Sequence, residues 1–96
     1  MTLDQLVIEC KKGLNMSLEA DELIDGAIKQ KLLAVRAYLL GAGVKVERLN
    51  SDLGIGVLVI GVTDLWNLNA GGIKFSPVFR TLATQLALGG FQDETE

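Results

Sequence analysis

Apolar residues recur at intervals of three and four along the first segment of this chain, which is the pattern of an amphipathic helix. Thr2 followed by Gln5 predicts a capping box at the start of this helix, because each side chain can satisfy the other's backbone N–H. Gly13 is expected to end it. The apolar stripe consists of Leu3, Leu6, Val7 and Cys10.

A second, longer helix is predicted from Ser17, a good N-cap residue, to the glycines Gly41 and Gly43. Its first turns are rich in carboxylates, which the positive end of the helix dipole favours. Residues 44–49 alternate between apolar and polar types, and six residues are too few to choose between a short strand and an extended connector. The apolar stripe comprises Leu23, Ile24, Ala27, Ile28, Leu32, Val35, Leu39 and Ala42.

The third segment is apolar on every side, and we interpret residues 53–68 as a helix and not as a buried strand. Sixteen residues are long for a strand, Asn50, Ser51 and Asp52 provide a cap, and the second half has helical spacing. A helix with no polar face is expected to be the central, buried one. Gly54 and Gly61 lie seven residues apart on one face, where a neighbouring backbone could approach closely.

The fourth helix has the clearest boundaries, with Ser76 as its cap, Pro77 in its first position and Gly89 just beyond its predicted end. Its expected buried face is made of Val78, Phe79, Leu82, Ala83 and Leu86. The remaining residues, 89–96, are expected to form a mobile acidic tail. The sequence therefore predicts one all-α domain over residues 1–96, a small four-helix core of about residues 2–88 with a buried apolar third helix and a flexible acidic C-terminal tail.

Composition narrows the possible functions of this chain. The formal net charge is −3, which argues against a module that grips nucleic acid through its phosphates. There is no histidine and only one cysteine, Cys10, so the chain lacks the residues needed for a typical zinc site, for the usual nucleophilic triads and for an internal disulfide. No cofactor and no enzymatic activity are expected. The start Met1 to Asp4 has no basic region typical of a signal peptide, and the apolar run is too short to span a membrane.

A few residues could still carry a function. A carboxylate cluster at the start of the second helix could hold a metal, although a solvated, dipole-favoured helix start is the simpler interpretation. Trp66 is expected at the edge of the core or at an interface. Phe91, within the acidic tail, is either incidental or a short docking element. The cluster consists of Glu19, Asp21, Glu22 and Asp25.

The order of these segments resembles the head–tail connector family of long-tailed bacteriophages, also called adaptor or head-completion proteins. The resemblance covers about residues 2–88. It rests on the acidic helix start at residues 21–24, the helix end at residues 35–40, the apolar third helix closing on residues 64–67, and the glycine loop before Ser76. Family members often carry further aromatic and basic residues after the third helix, and residues 67–70 of this chain lack them.

The resemblance implies a virion protein at the head–tail interface, made in the cytoplasm of the bacterial host. It would self-associate into a ring, commonly of twelve copies, beneath the portal protein, and would give the tail or a stopper protein a docking place. Specific nucleic-acid binding is not implied. Portal or partner contacts would fall to Trp66 and to the C-terminal residues Phe91, Asp93, Glu94 and Glu96. Carboxylates facing the DNA channel would be Glu19, Asp21, Glu22 and Asp25.

The alternative is a small helical regulator that binds a partner protein or DNA. A helix-turn-helix reader would need exposed polar and basic residues on its recognition helix. The fourth helix offers only Arg80, Thr81, Thr84 and Gln85 for that purpose, which makes DNA reading the weaker form of this alternative.

Overall fold

A computed structural model describes the backbone of residues 2–67 and 75–95, and the side chains of these residues up to Leu88. Within this part of the chain the structure has five helices and no strand, which confirms the predicted all-α class. The count differs from the predicted four because residues 44–49 contribute a short helix of their own. The helices are α1 (Leu3–Gly13), α2 (Glu22–Gly41), α3 (Val46–Leu49), α4 (Asp52–Trp66) and α5 (Pro77–Thr95).

Helix α4 is the centre of the fold, as its apolar sequence predicts, and it packs against each of the other four helices. Its side chains Val57, Leu58 and Val62 are buried at the middle of the core. One edge of α4 nevertheless faces solvent at Leu53 and Gly56, so the segment is not enclosed on every side. The remaining core is aliphatic apart from Phe79 and Cys10, consistent with a chain that contains few aromatic residues.

Two glycines of α4 allow its neighbours to approach closely. A Cβ atom on Gly54 would collide with the carbonyl oxygen of Arg48 and lie 2.8 Å from the Cα of Leu49. A Cβ on Gly61 would lie 2.7 Å from a ring carbon of Phe79 and from a methyl group of Val35. The obstacle at Gly54 is backbone and cannot rotate away, so this position fixes how α3 crosses α4.

The predicted N-cap of α1 is confirmed, whereas the predicted N-cap of α2 is wrong. In α1 the Thr2 N–H donates to Gln5 Oε1 at 2.8 Å and the Gln5 N–H donates to Thr2 Oγ1 at 3.2 Å, as a capping box requires. Helix α2 begins at Glu22 with Asp21 as its cap, and not at Ser17. The reason is tertiary, because Lys11 Nζ donates to the carbonyl oxygen of Glu19 at 2.8 Å and holds this segment in a loop.

Residues 44–49 form neither of the predicted alternatives, a strand or a connector, but the single-turn helix α3. Leu49 is buried against the core. The Ser51 hydroxyl donates to the carbonyl oxygen of Arg48 at 2.6 Å and accepts from the Gly54 N–H at 3.0 Å. One side chain thereby joins the end of α3 to the start of α4.

Helix α5 starts where the sequence predicts. The Ser76 hydroxyl accepts from the Phe79 N–H at 3.2 Å, and it donates to Asp64 Oδ2 of α4 at 2.8 Å. The predicted end at Gly89 is wrong, because the helix continues to Thr95, and the predicted flexible tail is not confirmed. Glycine costs a helix about 1 kcal/mol relative to alanine but leaves its hydrogen bonds intact, so two glycines need not end it. Glu96 lies outside the described residues.

Replacing Gly54 with alanine should destabilise the fold by about 2 kcal/mol or more, because the new methyl group has to displace the α3 backbone. Gly56→Ala is the matched control, since Gly56 lies in the same helix with nothing within 4 Å of the new Cβ. Higher helix propensity should stabilise that control variant by up to about 1 kcal/mol. Urea unfolding followed by circular dichroism measures both changes, and equal stability of the two variants would contradict the close α3–α4 packing.

The Cys10 thiol should be unreactive in the native protein. Cys10 is fully buried, and burial, with a smaller effect from the Glu9 carboxylate, raises the pKa of its thiol to about 12. Since the thiolate is the reactive form, a thiol reagent at pH 8 should react slowly with the folded protein and promptly with the urea-unfolded chain. Rapid labelling without denaturant would show that α1 is not packed as described.

Candidate partner-binding surfaces

The outward side of α2 is apolar along almost its whole length. We call it the outer α2 face, and every one of its residues is exposed. Leu23 is 85% exposed and Leu33 is 53% exposed, so the sequence-based placement of Leu23 in the core is wrong, as it is for the exposed Ala42. The face consists of Leu23, Gly26, Gln30, Leu33, Ala37 and Leu40.

These positions are separated by three, four, three, four and three residues, which is the spacing of a seam that packs against another helix. The core side of α2 has its own line, Ile28, Leu32, Val35 and Leu39. Sequence reasoning merged part of the outer line with the core stripe and missed the rest. The available signal was the presence of two apolar lines on a single helix.

Helix α5 carries a second uncovered line, which we call the outer α5 face, made of Val78, Thr81, Gln85 and Leu88. Phe79, Ala83 and Leu86 bind this helix to the core, and Leu82 is half-buried. Val78 was predicted on the buried side, but it is 59% exposed because it lies about 100° around the helix from Phe79. Val78 and Leu82 also line a shallow apolar depression with Pro77 and Thr81.

A groove of about 230 Å³ opens beside the outer α2 face, between α1, α2 and α3. Its floor is apolar, and Arg36 and Asn50 supply polar groups. Arg36 forms no ion pair with any side chain in the described part of the protein. The lining residues are Leu3, Leu6, Leu32, Leu33, Arg36, Val46, Leu49, Asn50 and Leu58. This arrangement suits an apolar side chain followed by a carboxylate.

The four acidic residues near the start of α2 have two different roles: two interact within the fold and two are exposed. Asp21 caps the helix, with Oδ1 accepting from the Leu23 and Ile24 N–H groups. Asp25 forms an ion pair with the buried Lys11, whose Nζ lies 2.5 Å from Oδ1. The side chains of Glu19 and Glu22 are exposed and form no ion pair with described residues. Of these four residues, Glu19 and Glu22 therefore leave their charges on the surface without an ion pair to a described residue.

Trp66 lies at the end of α4, half-buried at the edge of the core. Lys31 Nζ lies 5.2 Å from the centroid of its ring system, a cation–π contact that covers one face of the indole. Tyr38, Phe75 and Phe79 form a second aromatic group, with centroids of the last two 4.2 Å apart. The backbone of Phe91, Asp93 and Glu94 lies in the last turns of α5.

The part of the chain that the structure describes contains no group of three or more His, Cys, Asp or Glu side chains placed to hold a metal ion. None of its helices is long and apolar enough to cross a membrane. Comparison with protein-family models, with curated proteins and with solved structures finds no match to this chain.

The Lys11–Asp25 ion pair should make stability depend on pH in the acidic range. The hydrogen bond from Lys11 is the main cause that lowers the pKa of Asp25 below its ordinary value of 3.8. Because the folded-state pKa is the lower one, the pair stabilises the fold above pH 3.8 and loses its contribution as the pH falls through the folded-state value. Asp25→Asn should flatten this part of the stability profile.

The control for that measurement is Asp4→Asn, since Asp4 pairs with Lys29 at 3.0 Å on the open surface, with 82% of its side chain exposed. An exposed pair contributes little to stability. Urea unfolding between pH 2 and pH 7 separates the two variants. A wild-type profile for Asp25→Asn would show that the buried lysine does not depend on this carboxylate.

Proposed function

We propose that this protein is a non-enzymatic structural adaptor of a long-tailed bacteriophage, which assembles as a ring beneath the portal at the head–tail interface. The observation that carries the proposal is the pair of exposed faces on α2 and α5, which present the apolar side chains Leu23, Leu33 and Leu40 on α2 and Val78 and Leu88 on α5 beside polar residues. Large apolar side chains grouped on the surface of a small globular protein mark a site of association. Two such faces on different helices suit a subunit that is flanked on both sides by others.

Contacts between two different surfaces generate rings or filaments, whereas a single self-complementary surface generates a dimer. The two outer faces lie on separate helices and therefore favour the ring. The order of helices that resembles the connector family points to the same assembly. A ring of this kind would extend the DNA channel and provide a docking place for the tail or a stopper protein.

The distribution of charge agrees with a position next to DNA without affinity for it. The net charge is −3, and Glu19 and Glu22 are exposed at the start of α2. Their carboxylates are the candidates for the channel surface, since Asp21 and Asp25 are engaged within the fold. Repulsion between these carboxylates and phosphates would let DNA pass without sticking.

The C-terminal end of α5 is the candidate contact with the portal. Leu86 is the last buried residue of the helix among the described side chains, and the helical backbone continues to Thr95. This end carries Phe91, Asp93 and Glu94, followed by Glu96. An aromatic residue among carboxylates is a composition suited to docking into a partner that offers an apolar pocket with basic groups. Trp66 is a second candidate contact.

The second candidate function is a small helical regulator that binds a partner protein. The groove between α1, α2 and α3 favours it, because its apolar floor lies beside Arg36, which forms no ion pair with the described residues, and this combination fits a short acidic peptide. Binding to DNA is the weaker form, and it would show an affinity that falls steeply with salt. A structural adaptor should bind portal rings and should not bind DNA at low salt.

The deciding experiment is an early stop codon in this gene in the parent phage or prophage. We expect electron microscopy of the lysate to show DNA-filled heads and separate tails that fail to join, because the docking place is missing. Expression of the wild-type protein from a plasmid should restore whole virions. Normal virions from the stop mutant would contradict the adaptor proposal and would favour the regulator.

A further inference from the structure

We infer that the groove between α1, α2 and α3 is a docking site for a peptide segment of a partner protein, in which an apolar side chain such as leucine is followed by a carboxylate. The apolar side chain lies on the floor of the groove, and the carboxylate pairs with Arg36. The inference goes beyond the adaptor proposal and does not depend on ring assembly, since the site is complete within one copy of the chain.

The groove is apolar at its floor and around its opening. Leu32, Leu49 and Leu58 form the floor, and no more than 4% of any of them is exposed. Large apolar side chains that converge from three helices on one concavity differ from single apolar residues scattered over a surface, and they are typical of a binding site. The exposed apolar residues that line the groove, one each from α1, α2 and α3, are Leu3, Leu33 and Val46.

The charge of the groove selects a carboxylate. Arg36 is exposed and forms no ion pair with a described residue. None of the described residues that line the groove is Asp or Glu, although the chain has twelve acidic and nine basic residues. A carboxylate beside Arg36 therefore gains a charge-assisted hydrogen bond without competing with a carboxylate of the groove, whereas a cationic group would be repelled.

The remaining polar group of the groove suits a peptide backbone. Asn50 follows the last residue of α3 and is exposed in the lining of the groove. Its side-chain amide carries both donors and an acceptor, which match the C=O and N–H groups of a peptide. The volume of about 230 Å³ is smaller than the roughly 300–1,000 Å³ of pockets for drug-sized ligands. It therefore fits one or two side chains of a segment that continues across the surface.

Other occupants match the groove less well. A fatty acid has an apolar chain and a carboxylate, but it offers no peptide group to Asn50. Nucleic acid is bound mainly through several Lys and Arg contacts to phosphates, and this groove has one arginine on a protein whose net charge is −3.

An NMR titration of the isotope-labelled full chain tests the site. The probe is a synthetic heptapeptide in which one leucine is followed by two aspartates, with serine and glycine at the other positions. It is added up to millimolar concentration at low salt, where screening of charges is weakest. We expect the backbone N–H signals of Leu33, Arg36, Val46 and Asn50 to shift together and to saturate.

Two control peptides separate the apolar and the charged parts of the contact. Replacing the leucine of the probe by alanine should weaken binding about tenfold, because most of the apolar surface that is buried on the floor is lost. Replacing both aspartates by asparagine should weaken binding about threefold, because an exposed ion pair contributes less.

Charge reversal at Arg36 gives a readout that general damage to the fold would not produce. Arg36→Glu should weaken binding of the aspartate probe about fivefold, and it should bind a probe with lysines in place of the aspartates more tightly than the wild type does. The matched control is Arg80→Glu, since Arg80 is equally exposed, forms no ion pair with a described residue and lies on α5, outside the groove. This control should keep the wild-type preference.

A second pair of variants tests the apolar opening. Val46→Asp places a carboxylate in the lining and should abolish saturable binding of the aspartate probe. Leu18→Asp should leave binding unchanged, because Leu18 is 51% exposed, close to the 48% of Val46, and does not line the groove.

Three results would overturn the inference. The absence of shifts at millimolar probe would show that the groove does not accept this segment. Shifts confined to residues outside the groove would place the contact on another surface, and equal losses in Arg36→Glu and Arg80→Glu would show an effect of net charge alone. The titration uses the isolated protein and the stop-codon experiment uses the phage, so failure of this site and failure of the adaptor function are distinguishable.

Discussion

The close approach of neighbouring segments to α4 is the constraint on which the rest of this structure depends. Gly54 admits the backbone at the end of α3, and Gly61 admits Val35 from α2 and Phe79 from α5. A side chain at either position would force those elements outward. Helix α4 touches all four other helices, and these two glycines set its distance to three of them, α2, α3 and α5.

Because the core is organised around one narrow apolar helix, α4, some apolar residues of the surrounding helices remain on the surface. Helix α2 needs only one line of its residues, ending at Leu39, to cover α4, and α5 needs only Phe79, Ala83 and Leu86. The apolar residues on their outward sides are then left exposed among the described residues. Exposed apolar side chains add little to the stability of a monomer, which is why we propose association as their role. The adaptor and ring proposals follow from this division of each helix into an inner and an outer line.

Most of the polar contacts named above connect one helix to the next. Lys11 joins the end of α1 to Glu19 and Asp25, Ser51 joins α3 to α4, and Ser76 with Asp64 joins α4 to α5. Carboxylates that looked equivalent in sequence therefore have different roles. Asp25 and Asp21 serve the fold, while Glu19 and Glu22 leave their charges on the surface.

The local pattern of the sequence determined the helical class, the capping box of Thr2 and Gln5, the Ser76 start of α5 and the central place of α4. Each of these features depends on residues that are neighbours in the sequence, or on a segment so apolar that it has to be buried. Tertiary contacts decided the rest. The contact of Lys11 with Glu19 explains why α2 begins at Glu22 and not at Ser17. The orientation of α5 against the core explains why Val78 is exposed. Which of the apolar residues on α2 face the core depends on where α4 lies, since the sequence alone does not separate the exposed Leu23 from the buried Ile28.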